Sequence, residues 1–176
     1  MPPPLYRFTV GCSVAILGYV GFSSALFLAT RSVLFLVLAL PGLIALGYRA
    51  LRHIRARQLL AEVQRTCAPR GVRCLIIYSN SPVWEEHVKA HWFPRLGPMA
   101  DTLNWSERAA WQESLAVRVF RKFCFQSRNF NPAIIVFRGL DDPLVFRFFY
   151  AFHEAKDGRS LYLSALEGQA FEALGV

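Results

Sequence analysis

The sequence predicts an N-terminal transmembrane helical hairpin followed by an α/β domain. Three observations predict it. Residues 8–48 are almost wholly apolar and are interrupted once, by Ala29-Thr30-Arg31-Ser32. Arginines crowd directly behind that stretch, at Arg49, Arg52, Arg55 and Arg57. From residue 72 onward, short apolar runs alternate with amphipathic stretches and are separated by Pro, Gly, Ser and Asn, which is the rhythm of strands and helices.

The hairpin comes first. Met1-Pro-Pro-Pro-Leu5 is an extended lead, because proline lacks an N–H and disfavours helix in the residue before it. Phe8 to Ala29 carries no charge, and a spanning helix needs roughly 20 apolar residues. A cleaved signal peptide has a shorter apolar core, about 7–15 residues. Val33 to Tyr48 forms the second run, with Pro41-Gly42 predicting a bend within it. The small residues Gly11, Ala15, Gly18 and Ser23, with Gly42 and Ala45, suit close approach of two helices. The arginines after Tyr48 then orient both ends and the following domain to the cytoplasm, which makes the expected location the cell inner membrane, as a multi-pass protein. The chain divides into a hairpin over 1–48, a basic juxtamembrane helix over 49–71 and a cytoplasmic α/β domain over 72–176.

Charge and cysteine usage fit that reading. The formal net charge is +8. Two basic residues, Arg7 and Arg31, precede residue 49, and all the acidic residues follow it. A basic domain suits an anionic membrane surface or nucleic acid. Cys12, Cys67, Cys74 and Cys124 include no C-x-x-C pair, so they are neither a zinc pattern nor a disulfide framework but isolated thiols.

The juxtamembrane helix ends at Ala68-Pro69-Arg70-Gly71. A buried strand is predicted over Val72–Tyr78. Ser79-Asn80-Ser81-Pro82 turns the chain, with Ser81 capping a helix from Pro82 to Phe93. A second strand follows over Ala100–Trp105, then a helix from Glu107 to Phe125 capped by Asn104 or Ser106. A third strand is predicted over Ala133–Arg138. A fourth is predicted over Val145–Phe152, with Phe146, Phe148, Tyr150 and Phe152 on one face. Ser160 caps a last helix whose Leu163, Leu166, Ala170 and Leu174 share one side.

That element order, with Asn131-Pro132 directly before Ala-Ile-Ile-Val-Phe-Arg-Gly, resembles the thioredoxin-like fold over residues 72–175. The resemblance implies a βαβαββα sandwich and a cis-proline at Pro132 facing the loop Ser79–Trp84. Redox members of that family carry C-x-x-C at the start of the first helix. Here the place holds Ser79-Asn80-Ser81-Pro82-Val83-Trp84, without a thiol. Dithiol exchange needs two sulfurs there, one of lowered pKa, so a redox activity is not expected.

Three constellations carry candidate chemistry. Glu86, His87 and His91 include an i, i+4 histidine pair able to chelate a metal, with His153 or Glu154 as the only further donors in view. The order is not that of the H-E-x-x-H metalloproteases, and two solvated histidines explain it as well, so no metal site is assigned. Ser79, Asn80 and Ser81, with Asn104 and Glu107, follow parallel strands at their carboxyl ends, where open sheets bind ligands. With Pro132 they define a candidate crevice suited to an anion, although the same residue types also cap helices. No G-x-S-x-G accompanies the serines. Finally, Arg118, Arg121 and Lys122 form a basic stripe that joins Arg49, Arg52, Arg55 and Arg57 as a surface for anionic headgroups.

The functional expectation is a membrane-anchored, non-redox thioredoxin-like interaction module, for instance an accessory or assembly factor of a membrane complex. Its expected partners are the lipid bilayer and a membrane protein or second copy, without nucleic acid or cofactor. The alternative is a membrane-bound enzyme whose polar crevice acts on an anionic or lipid-linked substrate. A third reading makes the hairpin itself the binding surface.

Overall fold

The computed structural model describes residues 17–24, 33–125 and 127–176, with side chains described from Ala39 in the second of these segments. The chain divides into two units, Met1–Arg55 and Ala56–Val176.

In the first unit, residues 17–24 are helical. Helix α1 (Val33–Cys67) begins in this unit and contains Pro41. A Cβ on Gly42 would stand 2.7 Å from Val20 Cγ2 and 2.9 Å from Tyr19 Cδ1. Gly42 is therefore the point at which the segment 17–24 approaches α1, and glycine is what the spacing permits. Gly18 has open space around it. Gly11, Ala15 and Cys12 lie outside the described residues, as do Arg31 and most of the first apolar run.

No helix among the described residues is long and apolar enough to cross a membrane. This corrects the transmembrane hairpin, the multi-pass inner-membrane placement and the cytoplasmic orientation drawn from it. The reason lies in the continuity of α1. The apolar run ends at Tyr48, but the helix passes without a break into Arg49, Arg52, Arg55 and Arg57, and the uncharged part, residues 33–48, is short against the roughly 20 residues of a span.

The second unit is built on a four-stranded sheet of order β2-β1-β3-β4. The strands are β1 (Cys74–Tyr78), β2 (Ala100–Asn104), β3 (Ala133–Arg138) and β4 (Asp141–Arg147). β1 and β2 are parallel, in register from Cys74↔Ala100 to Tyr78↔Asn104. β3 runs antiparallel to β1 and to β4. β1 is a central strand, and Cys74, Leu75, Ile76 and Ile77 are all buried, as expected of a sheet covered on both faces. The Asn131–Pro132 peptide directly before β3 is cis.

Period-2 alternation divides the core in two. Cys74, Ile76, Ile134 and Val136 face one cluster, with Trp92, Phe148, Phe152 and Leu174. Leu75, Ile77, Ala133 and Ile135 face the other, with Val63, Val117, Phe120 and Phe130. The end of α1 belongs to the second cluster, where Leu59 packs and Val63 and Cys67 are buried. The chain then turns through a short 3-10 segment, Ala68–Arg70, closed by Gly71 at φ 72°.

Between β1 and β2 the helix differs from the expected Pro82–Phe93. It is α over Glu85–His87, π over Val88–Trp92 and α again over Phe93–Leu96. This composite is α2. Pro94 does not end it, because it sits at the start of the last short segment, where a missing N–H costs little.

Two further expectations are revised. The helix expected over 107–125 is a 3-10 segment, Trp105–Ala110, followed by α3 (Leu115–Phe123). Ser114, not Ser106, caps α3, its hydroxyl accepting the Val117 N–H. The strand expected over Val145–Phe152 runs instead over Asp141–Arg147 and gives way to α4 (Phe149–Lys156). The last helix, α5 (Leu161–Leu174), buries Leu163, Ala170, Phe171 and Leu174, while Ser160 makes no side-chain cap bond.

Candidate functional site

The carboxyl ends of β1 and β2 lie side by side, and their last register pair is Tyr78↔Asn104. The residues directly after them therefore meet. The Asn104 side-chain amide donates to Asn80 Oδ1 at 2.9 Å and to Glu107 Oε1 at 2.8 Å. Its Oδ1 accepts the Ser106 N–H at 3.0 Å. The Asn80 N–H donates to Ser106 Oγ at 3.0 Å. Asn104 thus caps the 3-10 segment and also ties the two strand ends together.

Ser79 sits deeper and is buried. Its Oγ accepts from Trp84 Nε1 at 3.1 Å and from Asn131 Nδ2 at 2.7 Å. Asn131 Oδ1 is buried without a partner. Ser81 makes a local turn, its hydroxyl accepting the Val83 N–H at 3.4 Å. It does not cap a helix, because α2 begins later and its N-cap position is Trp84. The structure thus brings together Ser79, Asn80, Asn104, Glu107 and the Asn131–Pro132 peptide, and leaves Ser81 in a turn of its own. Sequence reasoning missed Trp84 and Asn131 as partners of Ser79. An indole next to a polar turn is the signal that was available, since a buried Trp N–H needs an acceptor.

The thiols lie elsewhere. Cys67, Cys74 and Cys124 are free and buried. Cys74 opens β1, at the end of the strand away from Ser79. Burial pushes its thiol up to about 12. Burial likewise pushes Cys124 up to about 11 and raises Cys67. A reactive exchange thiol has the opposite property, a lowered pKa in a partly exposed place.

A second polar cluster links α2 to α5. His87 Nε2 lies 2.7 Å from Glu167 Oε1 on α5. Trp92 Nε1 donates to the same oxygen at 2.6 Å. Burial pushes the Glu167 carboxyl up, but the bonds from His87 and Trp92 and the proximity of His91 outweigh it and hold it below the usual range. The rings of His87 and His91 are 4.4 Å apart, tilted by 45°. His87 also lines an open cavity of about 450 Å³ with Pro82, Val83, Phe152, Ala155, Lys156 and Leu163. Glu167 was not anticipated. The signal was its place on α5, four residues after the buried Leu163 and three before the buried Ala170.

No group of three or more His, Cys, Asp or Glu among the described residues is arranged to hold a metal ion. The His153 ring lies 4.5 Å from that of Phe149, tilted by 48°.

The basic stripe is largely committed within the second unit. Arg118 forms a two-pronged pair with Glu62 on α1, and its hydrogen bond lowers the Glu62 carboxyl. Arg121 pairs with Glu113 at 2.6 Å. In the first unit, Arg52 stands over the Tyr48 ring at 5.9 Å. Arg55 and Arg57 are exposed on α1.

Comparison with protein families, with curated proteins and with solved structures returned no match.

Proposed function

We propose that the second unit is a non-redox interaction module with a thioredoxin-like order of elements. One observation carries this. At the end of the sheet where exchange chemistry of that type needs two accessible sulfurs, the polar side chains are amides, hydroxyls and a carboxylate that hydrogen-bond one another. Support also comes from the sequential order of the elements: strand, helix, strand, helix, two strands and a closing helical part. A serine nucleophile needs a base on its hydroxyl. Ser79 Oγ instead accepts an indole and an amide N–H, so the crevice suits recognition better than catalysis. Asn80 and Glu107 present the outward edge of the network.

The experiment is direct. The purified full chain, with a thiol reductant supplied, should leave the rate of disulfide reduction in a protein substrate at its uncatalysed value. A photo-crosslinking residue in place of Asn80 should capture one defined partner in cells, and the same residue in place of exposed Arg159 should not. Reductase turnover, or equal capture from both positions, would overturn the reading. The variant Glu107→Ala, made in the chain that carries the crosslinking residue at position 80, completes the test. If it loses about 1 kcal/mol of stability and keeps the capture, the network is a set of caps only.

A further inference from the structure

We propose that His87 and His91 chelate a divalent transition-metal ion, with Glu167 as the outer carboxylate that orients His87. The argument begins with the hydrogen of an indole. Trp92 Nε1 can only donate, so Glu167 Oε1 is acting as an acceptor at 2.6 Å. His87 Nε2 approaches the same oxygen at 2.7 Å. The ionised carboxylate offers lone pairs and no proton, so Nε2 carries the proton and donates it. Whenever the ring is neutral, its Nδ1 therefore holds the free lone pair.

This is the arrangement a ligating imidazole requires. Metal-bound histidines almost always donate their other ring N–H to a carboxylate or carbonyl, which fixes the tautomer and raises the basicity of the ligating nitrogen. The second imidazole is in place. His91 stands one turn further along α2, with its ring 4.4 Å from that of His87. His91 is exposed and His87 half-buried, so an ion held between them keeps positions open to water. Phe152 closes one side, its ring edge-on to His87 at 5.2 Å. Two imidazoles select Zn²⁺, Ni²⁺ or Cu²⁺ over Mg²⁺ or Ca²⁺, which prefer oxygen. His87 also lines the open cavity of about 450 Å³.

The cluster differs from the solvated histidine pair that the sequence suggests. That alternative leaves both rings free to choose their tautomer. Here one ring is locked from α5 by Glu167, whose second donor, Trp92, is buried.

The test uses the purified full chain carrying Cys12→Ser, so that the remaining thiols are the buried ones. Zn²⁺ and Ni²⁺ are titrated separately by calorimetry, and the histidine ring nitrogens are followed by long-range ¹H–¹⁵N spectra. We expect saturable binding of one ion per chain, with the His87 Nδ1 resonance moving and its Nε2 remaining protonated. His91→Gln, at an exposed position, should abolish binding without altering the thermal midpoint. Glu167→Gln should weaken binding by about 10–100-fold. His53→Gln and His153→Gln should change nothing. Binding that survives His91→Gln, coordination through His87 Nε2, or the absence of saturable binding by both metals would overturn the proposal.

Discussion

Ser79 shows how much rests on a single hydroxyl. Its oxygen accepts two N–H groups, one from the indole of Trp84 and one from the amide of Asn131. Ser79→Ala strands both donors in a buried place, and an unsatisfied buried polar group costs about 1–3 kcal/mol. Denaturant unfolding should show a loss of that size with an unchanged slope. Glu62 offers a pH-dependent counterpart. The Arg118 guanidinium holds its carboxyl below the ordinary value of 4.5. A carboxyl depressed by folding stabilises the fold above its unfolded value, and the contribution disappears as pH falls through its folded value. The NMR titration midpoint of Glu62 should therefore lie below 4.5, and Arg118→Gln should bring it back to the ordinary carboxylate range. Both side chains are substantially exposed, so salt should weaken the effect.

At the scale of elements, the passage from β4 to α4 is the instructive one. Phe146, Phe148, Tyr150 and Phe152 alternate in sequence, and alternation reads as a strand. The strand stops at Arg147 because its partner runs out: Arg147 pairs with Ala133, the first residue of β3. Past that point one cross-strand bond remains, from the Phe148 N–H to the carbonyl of Pro132, which has no N–H to return, and the backbone then closes its bonds as a helix, with the Phe152 N–H donating to the Phe148 carbonyl. Phe148 and Phe152 are both buried because they are four apart, a spacing that serves helix and strand alike. The central strands were legible because Cys74–Ile77 and Ala133–Val136 are continuous apolar runs that only a two-sided sheet explains. The helical caps were less so. Asn104 and Ser81 look equivalent in sequence, yet Asn104 bridges two strand ends and Ser81 closes a turn. The π segment Val88–Trp92 has no local signature at all, while the polar crevice was legible as residue types but not as a network. Phe148 is fully buried against Trp92. Phe148→Ala should cost about 3–5 kcal/mol, read as a lowered unfolding midpoint, whereas Tyr150→Ala, half a turn away and exposed, should cost far less.

For the second unit as a whole, the expectation is that the two faces of the sheet open together, as in a two-state domain. The thiols report on this because they sit on both sides: Cys74 in one core cluster, Cys67 and Cys124 in the other. Only a thiolate reacts with an alkylating reagent. Burial raises all three pKa values, to about 12 for Cys74 and about 11 for Cys124, and in the same direction for Cys67. In a Cys12→Ser chain at mildly alkaline pH, alkylation followed by peptide mass spectrometry should find all three unmodified in the native protein. Added denaturant should expose them at one common midpoint, that of global unfolding. The sign of the accompanying pH effect is fixed. The folded protein keeps these thiols protonated above their ordinary value of 9.0, so it binds more protons than the unfolded chain there, and stability must fall as pH rises past that value. Cys67 and Cys124 alkylated together ahead of Cys74, or Cys74 ahead of both, would mean that one face of the sheet opens by itself and that the two core clusters are separate cooperative units. If Cys67 alone came first, the end of α1 would be the part that detaches, with Cys124 still enclosed.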